Sequence, residues 1–405
     1  MPASILVRAS VASAVATAMA MLPVFLTAAL SVPMRRYLRF DDLGLGLAVS
    51  GFFGASAVVS IAGGWLAHRL GAGRSVALGS VVSLAATTAI PLAATGLSGL
   101  VSLLLVAGAA NAVVQPGASL VLAQVVPVER QGLAFGVNQI SAPLAAVMAG
   151  IMMPVVALTV GWRWAFAAPL LFGAAVAAVW PRGSTSAAVH PHIDGTRRMR
   201  WLLRHPELLL LTAAALLGST ASQALVAFFV QAAVIGGMSP GHAGWLLGAG
   251  STCGLASRMF WGWLADRRDG DRLRDVAALM AVGSVGLLDL AAGSGLLLPA
   301  AAGLAFAAGW GWNGLLNYAV VRRYPASPAL ALGVVTTGIF VGGAMGPFAF
   351  GFLARHAGYS FAWSAVALVL LVASCLVLMA VRLGIAHPPL VTRPTANLIG
   401  GVSNP

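Results

Sequence analysis

The chain has 405 residues, 60% of them hydrophobic and 8% charged, and a formal net charge of +13. A soluble domain carries about 25% charged residues, so this composition excludes a water-facing globular protein and puts most of the surface in lipid. The positive charge comes from 23 Arg and no Lys; they sit mostly between apolar runs, where they set topology and do not bind nucleic acid.

A membrane-spanning helix needs roughly 20 mainly apolar residues at about 1.5 Å rise each. After Arg8 the apolar stretch from Val11 to Val32 is long enough to span and ends in no small-residue cleavage site, so it reads as a span and not as a signal peptide. On this rule the first half has spans at 10–32, 43–67, 75–95, 98–125, 132–158 and 162–180, and the second at 207–235, 241–265, 274–293, 296–321, 329–354 and 359–382. Pro181 to Pro206 interrupts the pattern with five Arg and three His and no long apolar run. The expected organisation is a six-helix half at 1–180, a solvated linker at 181–206, a second six-helix half at 207–382 and a tail at 383–405. Cys253 and Cys375 lie inside apolar segments and read as small packing residues, not as a disulfide or metal site.

With the N-terminus in the cytoplasm, 17 Arg fall on the cytoplasmic side and five (Arg35, Arg36, Arg39, Arg163 and Arg355) outside, with Arg258 within a span. That asymmetry predicts a multi-pass protein with both termini inside.

The halves repeat. Gly64-Trp65-Leu66-Ala67-His68-Arg69 returns 198 residues later as Gly262-Trp263-Leu264-Ala265-Asp266-Arg267. Phe135-Gly136 matches Leu332-Gly333, and Gly161-Trp162-Arg163-Trp164-Ala165-Phe166 matches Gly358-Tyr359-Ser360-Phe361-Ala362-Trp363, both 197 residues apart. Two parallel six-span units are a transporter architecture.

On these residues the whole chain resembles the major facilitator superfamily (MFS). The resemblance implies an all-α membrane protein with two pseudo-symmetric six-helix bundles around a central cavity. The family's loop signature, roughly G-x-x-x-D-R/K-x-G-R/K, is matched after span eight by Gly262, Asp266 and Arg267, followed by Arg268, Gly270 and Arg272. After span two Gly64, Arg69, Gly71 and Arg74 match, but His68 replaces the usual Asp. Gly lets helix ends approach, and the carboxylate can cap a helix or pair with Arg; these residues are therefore candidate gating groups, and His68 departs from the latch. The drug-antiporter pattern of Arg then Gly in span four is absent, and span five lacks the Gly before Pro143.

The resemblance also implies a solute path near the midplane lined by spans one, four, seven and ten. Polar groups are costly in lipid, so each marks a candidate site. They are Asn111 and Gln115 in span four, Asn138 and Gln139 in span five, Gln223 and Gln231 in span seven, Arg258 in span eight, and Trp310, Asn313, Asn317 and Tyr318 in span ten. Arg258 lies eight residues before Asp266, about 12 Å in from the membrane edge; its planar fork suits a carboxylate or phosphate, or it braces a helix end. Asn313 and Asn317 share a helix face, as do Asn111 and Gln115, to bind a polar solute or one another. Asp289 in span nine reads as structural.

The expected function is secondary transport of a small organic solute, preferentially an anion, across a bacterial inner membrane by alternating access. The expected partners are the bilayer, the solute and a proton or counter-anion, and the expected state is a monomer. Efflux of amphiphilic drugs by the same fold is the alternative, and a non-transporting sensor a more distant one. No nucleophile–base cluster, metal-ligand spacing or phosphate loop stands in the chain, so no enzyme, metal or cofactor is expected.

Overall fold

The computed structural model describes residues 3–125, 139–170, 173, 205–268, 270–293, 297–325 and 327–386. Among them every regular element is a helix, as a lipid-facing chain requires when its backbone groups must be satisfied internally. Span one is Ala3–Ala29, followed by a short helix, Ser31–Leu38; spans two to four are Asp42–Leu70, Ala72–Ala93 and Leu97–Val125. Span five is described from 139, through Ser141–Met152 and a π-helical turn at Met153–Ala157, and span six opens with Trp162–Ala165. Spans seven to nine are Pro206–Ile235, Pro240–Arg267 and Leu273–Ala292. Spans eleven and twelve occupy 328–357 and 359–386 around a break at Gly358. The linker up to 204 and the tail from 387, together with Asn138 and the Phe135-Gly136 copy, lie outside the described residues.

The repeat is visible in the backbone. Asp41 caps span two by accepting from Gly44 N at 2.8 Å, and Ser239, 198 residues on, caps span eight by accepting from His242 N at 3.3 Å. Gly161 and Gly358, which open spans six and twelve, both have positive φ, +105° and +83°, a conformation that favours glycine. The repeat reaches packing as well, with sizes exchanged. In the first half Gly108 of span four lies against the Phe52 carbonyl of span two. In the second half the large residue is Phe306 of span ten and the small one Gly250 of span eight, where a Cβ would meet the Phe306 ring at 2.7 Å; both positions are offset by 198.

The glycine run of span eleven serves two seams. Gly338, Gly342 and Gly346, one per turn, back onto the Thr212, Leu216 and Thr220 carbonyls of span seven in the same half. Gly343 and Gly351 face span two of the other half, against Phe53 and the Asp42 carbonyl. Small residues permit this approach where lipid supplies no hydrophobic drive. A Gly342→Val protein should therefore lose about 1–3 kcal/mol or more through overpacking against main chain that cannot move aside, read as a lower melting temperature in detergent. An unchanged melting temperature would show that span seven yields.

Two expectations need correction. Span ten is not continuous: it runs Leu298–Ala307, turns through 308–311 and resumes as Trp312–Arg323. The Gly309 carbonyl in this turn accepts from Ser222 Oγ at 2.8 Å and Trp312 Nε1 at 3.1 Å, side chains replacing the helical ladder. Cys253 and Cys375 are free and exposed on helix surfaces, not packed inside; a thiol is apolar enough to face lipid.

Candidate functional site

The halves meet along spans two and eleven and along spans five and eight. At the end away from the Gly64 and Gly262 motifs the seam is closed. Gly46 touches the Pro347 carbonyl, and a Cβ on Gly351 would stand 2.5 Å from the Asp42 carbonyl. In the second pair, a Cβ on Gly150 would stand 2.8 Å from the Gly244 carbonyl. Ser50 Oγ accepts from Phe348 N at 2.9 Å. A polar rim adds Asp41 to Arg355 at 2.6 Å, and Tyr359 donates its hydroxyl proton to Asp42 at 2.7 Å. Arg35 reaches the same Asp42 oxygen at 3.2 Å. Sequence reasoning counted Arg35 and Arg355 for topology and missed their pairing; the adjacent Asp41-Asp42 at a helix start was the available signal.

At the motif end the space beside Gly64, Gly262 and Gly333 is open. The repeated phrase has a direct structural meaning there. Arg69 stacks over Trp65, its Cζ 5.0 Å from the ring centre, and Arg267 over Trp263 at 4.2 Å, the same i,i+4 cation–π pair in both halves. Trp65 and Trp263 are exposed, as are Trp164 and Trp245 at the opposite end, so aromatic side chains mark both membrane interfaces. Asp266 and Arg74 are exposed, and Asp266 has no ion pair with another described residue. The side chain of His68 is outside the description. The ion pairs near this end are elsewhere: Arg323 joins Glu207 of span seven at 2.5 Å and Asp271 at 3.2 Å.

Between these ends lies Arg258. Its Nη1 donates to the Gln139 carbonyl of span five at 2.8 Å, and its Nη2 to the Trp310 carbonyl of span ten at 3.0 Å. Both acceptors lie at breaks in helices. The residue four beyond Gln139 is Pro143, which has no N–H to give, and Trp310 precedes Gly311, the N-cap of the second piece of span ten. The guanidinium also sits over the Trp310 ring at 5.1 Å. That ring meets Phe25 of span one edge-on at 6.1 Å and Phe306 at 6.0 Å. The Nε of Arg258 is buried without a partner, and no carboxylate lies within salt-bridge distance among the described residues. Arg258 thus joins both halves through main-chain carbonyls, and Gln139 enters the site by its backbone.

The amides fall into two local pairs. Gln115 donates to Asn111 at 3.4 Å, and buried Asn111 donates to Ser56 Oγ of span two at 3.2 Å. Asn317 donates to Asn313 at 3.2 Å, and Asn313 stands 198 residues after Gln115. The pairs share that one corresponding position and are otherwise a turn out of register, and no hydrogen bond links them among the described residues. Gln223, Gln231 and Asn317 each keep a buried carbonyl oxygen without a partner. Tyr318 turns away to the Ala265 carbonyl at 3.3 Å, bracing the motif end of span eight. Asp289 is exposed on span nine.

The fold is similar to that of solved transporters. A bacterial homologue of the human lysosomal transporter Spinster, inward-facing and unoccupied, matches with a TM-score of 0.74 at 15% identity over 95% of this chain and 99% of that one. The same homologue, inward-facing and occupied, gives 0.71 at 15% over 92% and 96%. The nucleoside transporter NupG gives 0.71 at 14% over 92% and 99%. No match is found among curated protein sequences. The model of the Major Facilitator Superfamily matches residues 10–329, and with twofold-repeated helices meeting in two glycine seams around a central arginine, the chain belongs to that superfamily.

Proposed function

We propose that this protein is a secondary transporter that moves a small organic anion across a bacterial inner membrane by alternating access. The termini and the Gly64 and Gly262 motifs lie in the cytoplasm, and two six-span halves, 1–180 and 207–382, rock about the solute. No enzymatic step is involved. The observation that carries this reading is the charge of Arg258, placed where the halves meet and compensated by neutral carbonyls instead of a carboxylate. A cation so placed in lipid attracts an anion more strongly than it would in water. The unpartnered oxygens of Gln223, Gln231 and Asn317 would accept from hydroxyl or amine groups on the same solute.

The experiment is flux in proteoliposomes with an anion found by thermal-shift screening against organic acids, sugars and drugs. Arg258→Ala should reduce its uptake at least about tenfold, the loss of one charge-assisted pair. Arg258→Lys should restore little, because an ammonium lacks the planar fork. Undiminished flux in Arg258→Ala would refute the anion assignment.

A further inference from the structure

The guanidinium of Arg258 has two edges with different fates. Its end is held: Nη1 by Gln139 in the first half, with Nη2 also engaged by Trp310 in the second. Its side, formed by Nε and Nη2, has an unused N–H at Nε. A carboxylate or phosphate oxygen pair docks on such a side edge with two parallel hydrogen bonds. It competes there with the Trp310 carbonyl alone and leaves the Nη1 bond to Gln139 intact. Gln139 can give that bond because Pro143 removes its ordinary helical donor.

The geometry points to Gln139 and Pro143 as positioning residues that make anion binding at Arg258 conditional on contact between the two halves. This rests on the reading of Arg258 as the anion site. The proline frees a carbonyl in span five, the carbonyl fixes the arginine of span eight in one rotamer, and the fixed arginine keeps its buried Nε–H without a partner. When spans five and eight part, Gln139 withdraws and the guanidinium loses its anchor. The anion is thus held best while spans five and eight touch at Gln139 and Arg258 and is released where they part there, so that affinity follows conformation.

The test uses the purified full chain and measures thermal stabilisation by acetate, succinate and inorganic phosphate, with Kd obtained by titration. In Pro143→Ala the N–H returns and recaptures the Gln139 carbonyl within its own helix. Apparent affinity should then fall between about twofold and about tenfold, the range expected for losing the preorganisation of one long side chain. In an Arg258→Ala background Pro143→Ala should change anion affinity no further; a purely structural proline would shift the ligand-free melting temperature and leave affinity alone. If Arg258→Ala abolishes stabilisation while Pro143→Ala binds like the parent, this inference falls and the anion site stands. If none of the three anions stabilises the parent protein, or Arg258→Ala binds them equally, both fall.

Discussion

Gly64→Leu and Gly262→Leu should each sharply reduce transport without lowering the melting temperature of the present conformation. Both glycines stand beside open space here. Each also lies 18 residues beyond a glycine that is in close contact: Gly64 beyond Gly46, and Gly262 beyond Gly244. Eighteen residues are five turns at 3.6 per turn, so each pair lies on one helix face, with one member at each end of the membrane. Span eleven repeats the relation, with Gly351 in contact and Gly333 open. When the closed end opens, the motif end must close along the same faces, and Gly64, Gly262 and Gly333 take the roles of Gly46, Gly244 and Gly351. A leucine there meets nothing now and clashes then. Overpacking of about 1–3 kcal/mol moves a two-state equilibrium by roughly five- to 150-fold. Flux should fall by at least about fivefold, while the melting temperature changes as little as for an ordinary exposed substitution. Wild-type flux in both variants would mean that the motif faces never meet.

That pattern was largely legible in the sequence, because a glycine seam is written in spacing. The 198-residue repeat locates the motif glycines, and the steps of four from Gly338 to Gly346 are the spacing of a close helix pair, although nothing in it shows that Gly343 and Gly351 face the other half. The centre was less legible. Arg258 stood out as a charge in lipid, but its acceptors are main-chain carbonyls, to which side-chain identity gives no clue. Pro143 showed a missing N–H without showing which group would use the orphaned carbonyl. The break in span ten had a signal in Gly309-Trp310-Gly311, overridden by the apolar run around it. The amides Asn111 and Asn317 were found as polar groups in lipid, yet their bonds to Ser56 and Asn313 turn part of that polarity to holding helices together.

Tyr359→Phe should open the closed end far more than Arg355→Ala, although Arg355 makes the shorter and fully ionic contact. The difference is exposure. Asp41 and Arg355 are 42% and 52% exposed, and such a pair contributes about 0–1 kcal/mol. Asp42 is 15% exposed and accepts the Tyr359 hydroxyl at 2.7 Å, a hydrogen bond to a charged group of about 1.5–3 kcal/mol. Tyr359 belongs to span twelve and Asp42 to span two, so the bond exists only while this end is shut. Its loss should raise the open population by roughly tenfold or more, and loss of the Arg355 pair by no more than about fivefold. Ser50→Cys in a background of Cys253→Ala and Cys375→Ala reports the opening, since Ser50 faces Phe348 across the seam. Labelling by a membrane-impermeant maleimide should then accelerate in the order Tyr359→Phe, Arg355→Ala, parent. The reverse order of the two variants would place the lock in the exposed ion pair and make Asp42 a cap on its own helix bundle.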